Sequence, residues 1–208
     1  SAAAPVHSAG ISGYSGKQSV NCNFCHSGGV VPVVKIEGPA YVLHDSTRTY
    51  TLTVGGGQMV AAGLDVAVDD NAGVLVATDP DTHIDTLEVT HTFPRNVDGN
   101  GQAAWSFDFV APSTPMALTM YGSGNSVNLN GLNLGDRARS RTLAITVVDN
   151  LTSFVPFGVG LAGSGGIVPS LSGVDGPSVG PWSISIADGL GGASGFLWTG
   201  FGTVDQFP

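Results

Sequence analysis

Short runs in which every second residue is apolar, each closed by glycine, proline or aspartate, constrain this chain more than any other feature. Val33-Val34-Lys35-Ile36-Glu37 ends at Gly38-Pro39. Tyr50, Leu52 and Val54 alternate with threonines before three glycines, and Leu64, Val66 and Val68 alternate up to Asp69-Asp70-Asn71. Val74-Leu75-Val76 precedes Asp79-Pro80-Asp81. Trp105, Phe107 and Phe109 alternate with Ser106 and Asp108 and stop at Ala111-Pro112. Leu118 and Met120 share a face before Gly122, and Leu143, Ile145 and Val147 close the series. A period of two puts alternate side chains on one side of a strand, and turn residues at such short spacing join the strands of a sandwich or barrel. No stretch sustains a helical period, although a short helical turn near 130–140 is compatible with the sequence. The expected fold is all-β, an antiparallel immunoglobulin-like sandwich over residues 33–150.

Two segments fall outside that pattern. Residues 1–32 are rich in Ser, Gly and Ala, lack periodicity and hold both cysteines. A long irregular segment of this kind is functional or disordered unless something orders it. Residues 151–208 are rich in Gly, Pro and Ser and almost uncharged. They carry two strand-like runs, Trp182–Ile186 and Gly195–Trp198, and are expected to form a Gly-rich β segment too small to be stable alone.

The net charge of −9, with only 7 Lys plus Arg, argues against nucleic acid or an anionic membrane surface as a partner, because phosphate binding needs clustered cations. Arg137, Arg139 and Arg141 form the one local cluster, and their spacing reads as one solvated strand face. No run of about 20 apolar residues is present, so no membrane-spanning helix is expected. The opening Ser1-Ala-Ala-Ala-Pro5 suits the mature end of a cleaved secreted protein.

Chemistry is concentrated in Cys22-Asn23-Phe24-Cys25-His26, the C-x-x-C-H pattern of covalent haem c attachment. Two thiols at this spacing can add to the two vinyl groups of one porphyrin. The following histidine then supplies the proximal nitrogen to iron. The competing readings are weaker for physical reasons. A thioredoxin-type C-x-x-C needs a βαβ context, a structural zinc needs four ligands, and a disulfide across two residues constrains little chain. One haem c is therefore expected on Cys22, Cys25 and His26. The residues leave its second axial ligand open among His7, His44, His83, His91, Met59, Met116 and Met120. Met116 and Met120 share parity with Leu118 and read as core, whereas His44 and His83 read as turn residues. His91 ends the strand-like run Leu87–Thr90.

Several pieces in order give a further pointer. They are the arm Ser8–Ser15, C-x-x-C-H-Ser-Gly-Gly, Thr90-His91-Thr92, Trp105–Pro112, Tyr121–Asn128 and Gly135-Asp136. Over roughly residues 8–140 this order resembles the reelin-type (Reeler-like) β-sandwich domains of secreted bacterial proteins, many of them surface-anchored proteins of myxobacteria and their relatives. The resemblance implies a secreted sandwich bearing one haem near its N-terminus, with His91 as the distal iron ligand. It maps Trp105–Pro112 onto a core strand. Gly124–Asn128 maps onto a Gly-Asn stretch that reads as turn chemistry rather than a calcium or haem-edge loop. Val110 stands where the family often has Thr, and 151–208 lie outside the match.

Two functions follow as expectations. The first is a monohaem cytochrome in electron transfer, extracellular, at the cell surface or periplasmic, since bacterial cytochrome c maturation takes place outside the cytoplasmic membrane. Its partner would be a redox protein or neighbouring copies in an assembly. The second is a structural surface or filament protein in which haem is mainly structural. An enzyme is not expected. There is no Gly-x-Ser-x-Gly elbow, no His-Glu-x-x-His and no phosphate loop, and Gly163-Ser164-Gly165-Gly166 lacks a strand–turn–helix setting.

Overall fold

The computed structural model describes residues 9–56, 59–70 and 72–149, with short stretches of the C-terminal segment. The chain divides into two units, Ser1–Leu151 and Thr152–Pro208. The first contains, in chain order, β1 (Ser27–Gly28), β2 (Val33–Glu37), β3 (Tyr41–Leu43), β4 (Thr47–Gly55), β5 (Ala61–Val68), β6 (Val74–Val76), β7 (Thr82–Asp85), β8 (Glu88–His91), β9 (Arg95–Asn96), β10 (Gln102–Val110), β11 (Met116–Val127) and β12 (Leu134–Val148).

These strands make two sheets of a β-sandwich. The smaller has the order β2-β4-β10-β6; the larger has β1-β12-β11-β5-β8-β7, with β3 also on β12 and β9 also on β5. Antiparallel pairing of β10 with β4 sets Trp105 opposite Leu52 and Phe107 opposite Tyr50. Trp105, Phe107, Phe109, Tyr50 and Leu52 are buried to within 1 % of full exclusion from solvent. They meet Leu64, Val66, Met120, Ile145 and Val147 of the larger sheet in one apolar cluster. The alternating runs in the sequence are these inward faces. Burying each such side chain is worth about 1.5–3 kcal/mol, which is why register is fixed: a one-residue slip would turn a whole face to water.

Three sequence expectations change. No helical turn lies near 130–140. The chain instead makes a loop in which the Asn128 side chain accepts from Asn130 N and the Asn130 side chain from Leu132 N, and β12 begins at Leu134. Side-chain-to-backbone bonds of this kind stabilise turns at the expense of helix. Gly124–Asn128 is not a turn, because β11 runs to Val127. A Cβ at Gly124 would collide with Val54 and Val34 across the sandwich, so the glycine serves close sheet packing. His83 lies within β7, opposite Thr90, rather than in a turn. The turn before it closes at Thr82, whose N–H donates to Asp79 O.

β5 is unusual in that all eight of its residues are buried. Ala62, Leu64, Val66 and Val68 face the sandwich core. Their neighbours Ala61, Gly63, Asp65 and Ala67 face outward, where the His91 ring lies against Gly63 and Tyr14 of the N-terminal arm bonds to Asp65. Burial on both faces is normal for central strands of parallel sheets and exceptional at the outside of a sandwich. It marks this face as the place where something packs. Arg137 and Arg139 are half-buried and Arg141 is exposed, all on the other side of β12. In the second unit, Ser170–Gly173 pairs antiparallel with Ile184–Ala187. Trp182 and 195–198 lie outside the described residues. Among the described residues no helix is long and apolar enough to cross a membrane.

Gly124→Val is expected to lower unfolding free energy by roughly 1–3 kcal/mol through overpacking. Chemical denaturation measures this, and an unchanged midpoint would contradict the tight contact described here.

Candidate functional site

The arm reaches the outer face of the larger sheet through polar contacts. Three successive backbone amides are each accepted by a different carboxylate: Ser12 N by Asp85 (3.0 Å), Gly13 N by Glu88 (2.8 Å) and Tyr14 N by Asp65 (2.7 Å). Gly10, at φ +68°, lets the chain lie directly on β8, since a Cβ there would collide with Thr90. Beyond a bridge between Ser15 and Asn21, the cysteine motif begins as a single 3-10 turn, Cys22–Phe24. Asn21 caps it by accepting from Asn23 N at 2.9 Å. The side chain of Asn23 then donates to Ala138 O (2.9 Å) and accepts from Ala138 N (2.8 Å), using one amide where a strand would use its backbone. Asn133 donates to Cys25 O, and β1 continues parallel to β12.

His26 follows with its ring fixed. Its Nδ1 lies 2.9 Å from Asp136 Oδ2, and the Asp136 side chain is only 3 % exposed. Asp136 also accepts from Asn128 N at 2.9 Å. A carboxylate on Nδ1 places the imidazole proton there and leaves the Nε2 lone pair for a metal.

His91 reaches the same region by another route. β5 pairs with β8 at Asp65 and Val66 and with β9 at Ala61 and Ala62. Between these ladders the intervening chain leaves β5, and the His91 ring fills the gap. Its Nδ1 lies 3.1 Å from Leu64 O and 3.2 Å from Leu64 N. Leu64 N–H can donate to an unprotonated Nδ1; in the tautomer that carries the proton on Nδ1, donation to Leu64 O frees Nε2. The ring rests against Gly63, where a Cβ would come within 2.5 Å of Cε1. Burial is the main cause that pulls the His91 pKa down, and the nearby charges of His83 and His26 add to it. The ring is therefore neutral at physiological pH, as a metal ligand must be.

Cys22, Cys25, His26 and His91 all line one cavity of about 300 Å³, with apolar walls from Ile11, Leu64, Val127, Leu129 and Leu132. Both thiols are free, and the Cys22 Sγ lies 3.5 Å from Ser123 Oγ. Burial pushes the Cys22 thiol up to about 12, so it lines the cavity as a neutral thiol. Neither histidine Nε2 has a hydrogen-bond partner among the described residues. Two thiols of a C-x-x-C-H motif, two imidazoles whose Nε2 atoms can serve a metal, and apolar walls, all on one cavity, are a donor set that fits a haem.

The other candidate ligands do not line this cavity. His44 sits in an exposed turn beside Asp45. His83 lies on β7, and Met59 and Met116 pack against the sandwich core that encloses Met120. His7 lies outside the described residues.

Sequence reasoning missed four participants. Asp65 could have been flagged as an acid inside an apolar run. Gly63 and Asn23 gave no signal, and Asp136 was visible only as part of a Gly-Asp pair. Pro94 also lines the cavity, and Arg95 beside it is tied to Asp79 and Asp81 and stacks over Trp105 at 5.2 Å.

Asp65 is 1 % exposed, and its pKa is raised from 3.8 to about 9, first by burial and then by the Glu88 carboxyl beside it. The folded chain therefore holds a proton that the unfolded chain releases above pH 3.8. The stability this gives is fully present below pH 3.8 and is lost progressively as pH rises toward 9. Asp65→Asn is expected to flatten this decline in thermal melts across that window. An equally steep decline in the variant would count against a protonated Asp65.

No protein-family model matches the chain, and no curated protein matches it. Among solved structures it is similar to the PKD domain of an M14-like peptidase from a Thermoplasmatales archaeon, at 12 % identity and a TM-score of 0.35, over 56 % of this chain and 94 % of that one.

Proposed function

We propose that the chain is a monohaem c-type cytochrome working in electron transfer outside the cytoplasm of a bacterium. The haem would be attached at Cys22 and Cys25 and ligated by His26 and His91. The observation that carries this reading is the meeting, on one cavity, of the C-x-x-C-H cysteines with two histidines whose Nδ1 atoms are engaged and whose Nε2 atoms are free. A bound haem supplies one-electron chemistry at its iron. Asp136 and the Leu64 carbonyl are the acceptors that the Nδ1 protons of the ligating tautomer would use. The arm and the loop bearing Leu129 and Leu132 limit water at the cavity. With His26 and His91 both committed to the iron, a bound haem would suit outer-sphere transfer and not oxygen chemistry or catalysis on a substrate. With a charge of −9, the surface favours a basic redox partner.

A second reading is a surface or filament subunit whose partner is a neighbouring copy. Exposed apolar residues favour it: Phe24 in the motif is 76 % exposed, and Leu132 at the cavity is 52 % exposed. Light scattering over a concentration series separates the two. Growth of ordered assemblies supports the subunit reading, and a monomer throughout supports a diffusing carrier.

Purified native protein is expected to give a c-type pyridine haemochrome and low-spin spectra in both oxidation states. His91→Ala is expected to become high-spin. High-spin iron in the unmodified protein would remove His91 as a ligand, and native protein with no haem would end the cytochrome reading.

A further inference from the structure

Asp65 is not needed to hold a haem, yet it lines the cavity and is almost fully buried. One of its oxygens accepts from Tyr14 N, whereas Oδ1 has no donor among the described residues. Asp65 stands opposite Thr90, so Glu88, two residues along β8, presents its carboxyl on the same side of the sheet, and the two carboxyls take the adjacent amides of Tyr14 and Gly13. Two carboxylates cannot bond to each other, so a proton between them is what satisfies the orphaned oxygen. The pair also reaches water, because Glu88 accepts from Gly13 N at an exposed position.

We infer that the Asp65–Glu88 pair couples proton uptake to haem reduction, binding one proton from water for each electron that the haem accepts. This rests on the cytochrome reading. When a one-electron donor protein reduces ferric iron to ferrous, the cavity loses one unit of positive charge. The positive charge of the ferric site would drive the shared proton off the pair, and on reduction the pair takes a proton back from hydronium, one carboxylate becomes a carboxylic acid, and the net charge of the site is restored. Oxidation returns the electron to an acceptor and the proton to water. The charged and titratable groups around Asp65 all bear on this step. Glu88 on β8 and Asp85 on β7 raise its proton affinity; Cys22 of the arm faces it as a neutral thiol. His91, His26 and Asp136 share the cavity, and His83 lies on β7. Asp136 is committed to the His26 ring, which leaves the pair as the carboxyl group free to exchange. The raised proton affinity of Asp65 places the response on the alkaline side of neutrality.

The test is potentiometry of the natively produced holoprotein from about pH 6 to about pH 10. A tenfold change in the reduction equilibrium per pH unit, or about 59 mV for one electron, is the full coupling. The potential should fall with rising pH at a slope approaching that value. Asp65→Asn keeps an acceptor for Tyr14 N and donates to Glu88, and it should flatten the curve. Glu88→Gln keeps an acceptor for Gly13 N and should do the same, which guards against one variant failing to fold. Infrared difference spectra between the oxidation states should show a protonated-carboxyl band that shifts in heavy water and vanishes in Asp65→Asn. Haem propionates would persist in both variants, so a slope and band unchanged by the substitutions overturn the inference, as does a flat curve in the unmodified protein. Protein without a haem spectrum overturns the cytochrome reading and this inference with it.

Discussion

Everything at the site depends on a contact that is not hydrophobic: the binding of an irregular arm to a sheet face by side chains that grip backbone. Residues 12–14 present three consecutive N–H groups, and three carboxylates from β5, β7 and β8 take one each. Further on, Asn23 and Asn133 hold the cysteine turn against β12 and the loop before it. An arm this poor in apolar residues cannot bury enough surface to order itself. Charge-assisted bonds to its amides are stronger than neutral ones and supply the missing term. The cost is concentrated negative charge beneath the arm, which the structure relieves at Asp65 by keeping it protonated.

The two histidines arrive at similar chemistry by different means. His26 is oriented by a buried carboxylate, whereas His91 is oriented by the backbone carbonyl of Leu64. A carboxylate partner donates more electron density to an imidazole than a carbonyl does, so the two nitrogens differ in basicity. The β5 gap that seats His91 is a local irregularity in an otherwise regular ladder. Such interruptions re-aim a side chain without disturbing the core on the opposite face.

The sandwich was legible because its information is one-dimensional. Trp105, Phe107 and Phe109 alternate in the sequence and alternate in space. The motif was legible for the same reason, since Cys22, Cys25 and His26 are adjacent. What was not legible depends on pairing across the chain. Asp136 is 110 residues from His26, and no local pattern links them. His91 could be ranked among other histidines, but its seat against Gly63 and Leu64 exists only once β8 and β9 are placed on β5. Gly124 misled because glycine beside asparagine signals a turn, whereas here its missing side chain makes room for Val34 and Val54. His83 misled because the Asp-Pro-Asp turn ends one residue earlier than its composition suggests.

The double bond between Asn23 and Ala138 has a consequence beyond positioning the motif. β12 meets β1 at one end and β3 at the other, and among the described residues no strand pairs with the stretch between them on that side. A row of free N–H and C=O groups of that length is a template for another chain. Asn23 occupies the β1 end of the row at Ala138, and Asn21 lies close by on the Ser140 side chain. The segment that would carry the haem therefore also covers one end of the sheet's open border. Chains whose arm has not yet settled would expose both a bare cavity and an adhesive edge, so cofactor attachment and resistance to aggregation are secured by the same few residues.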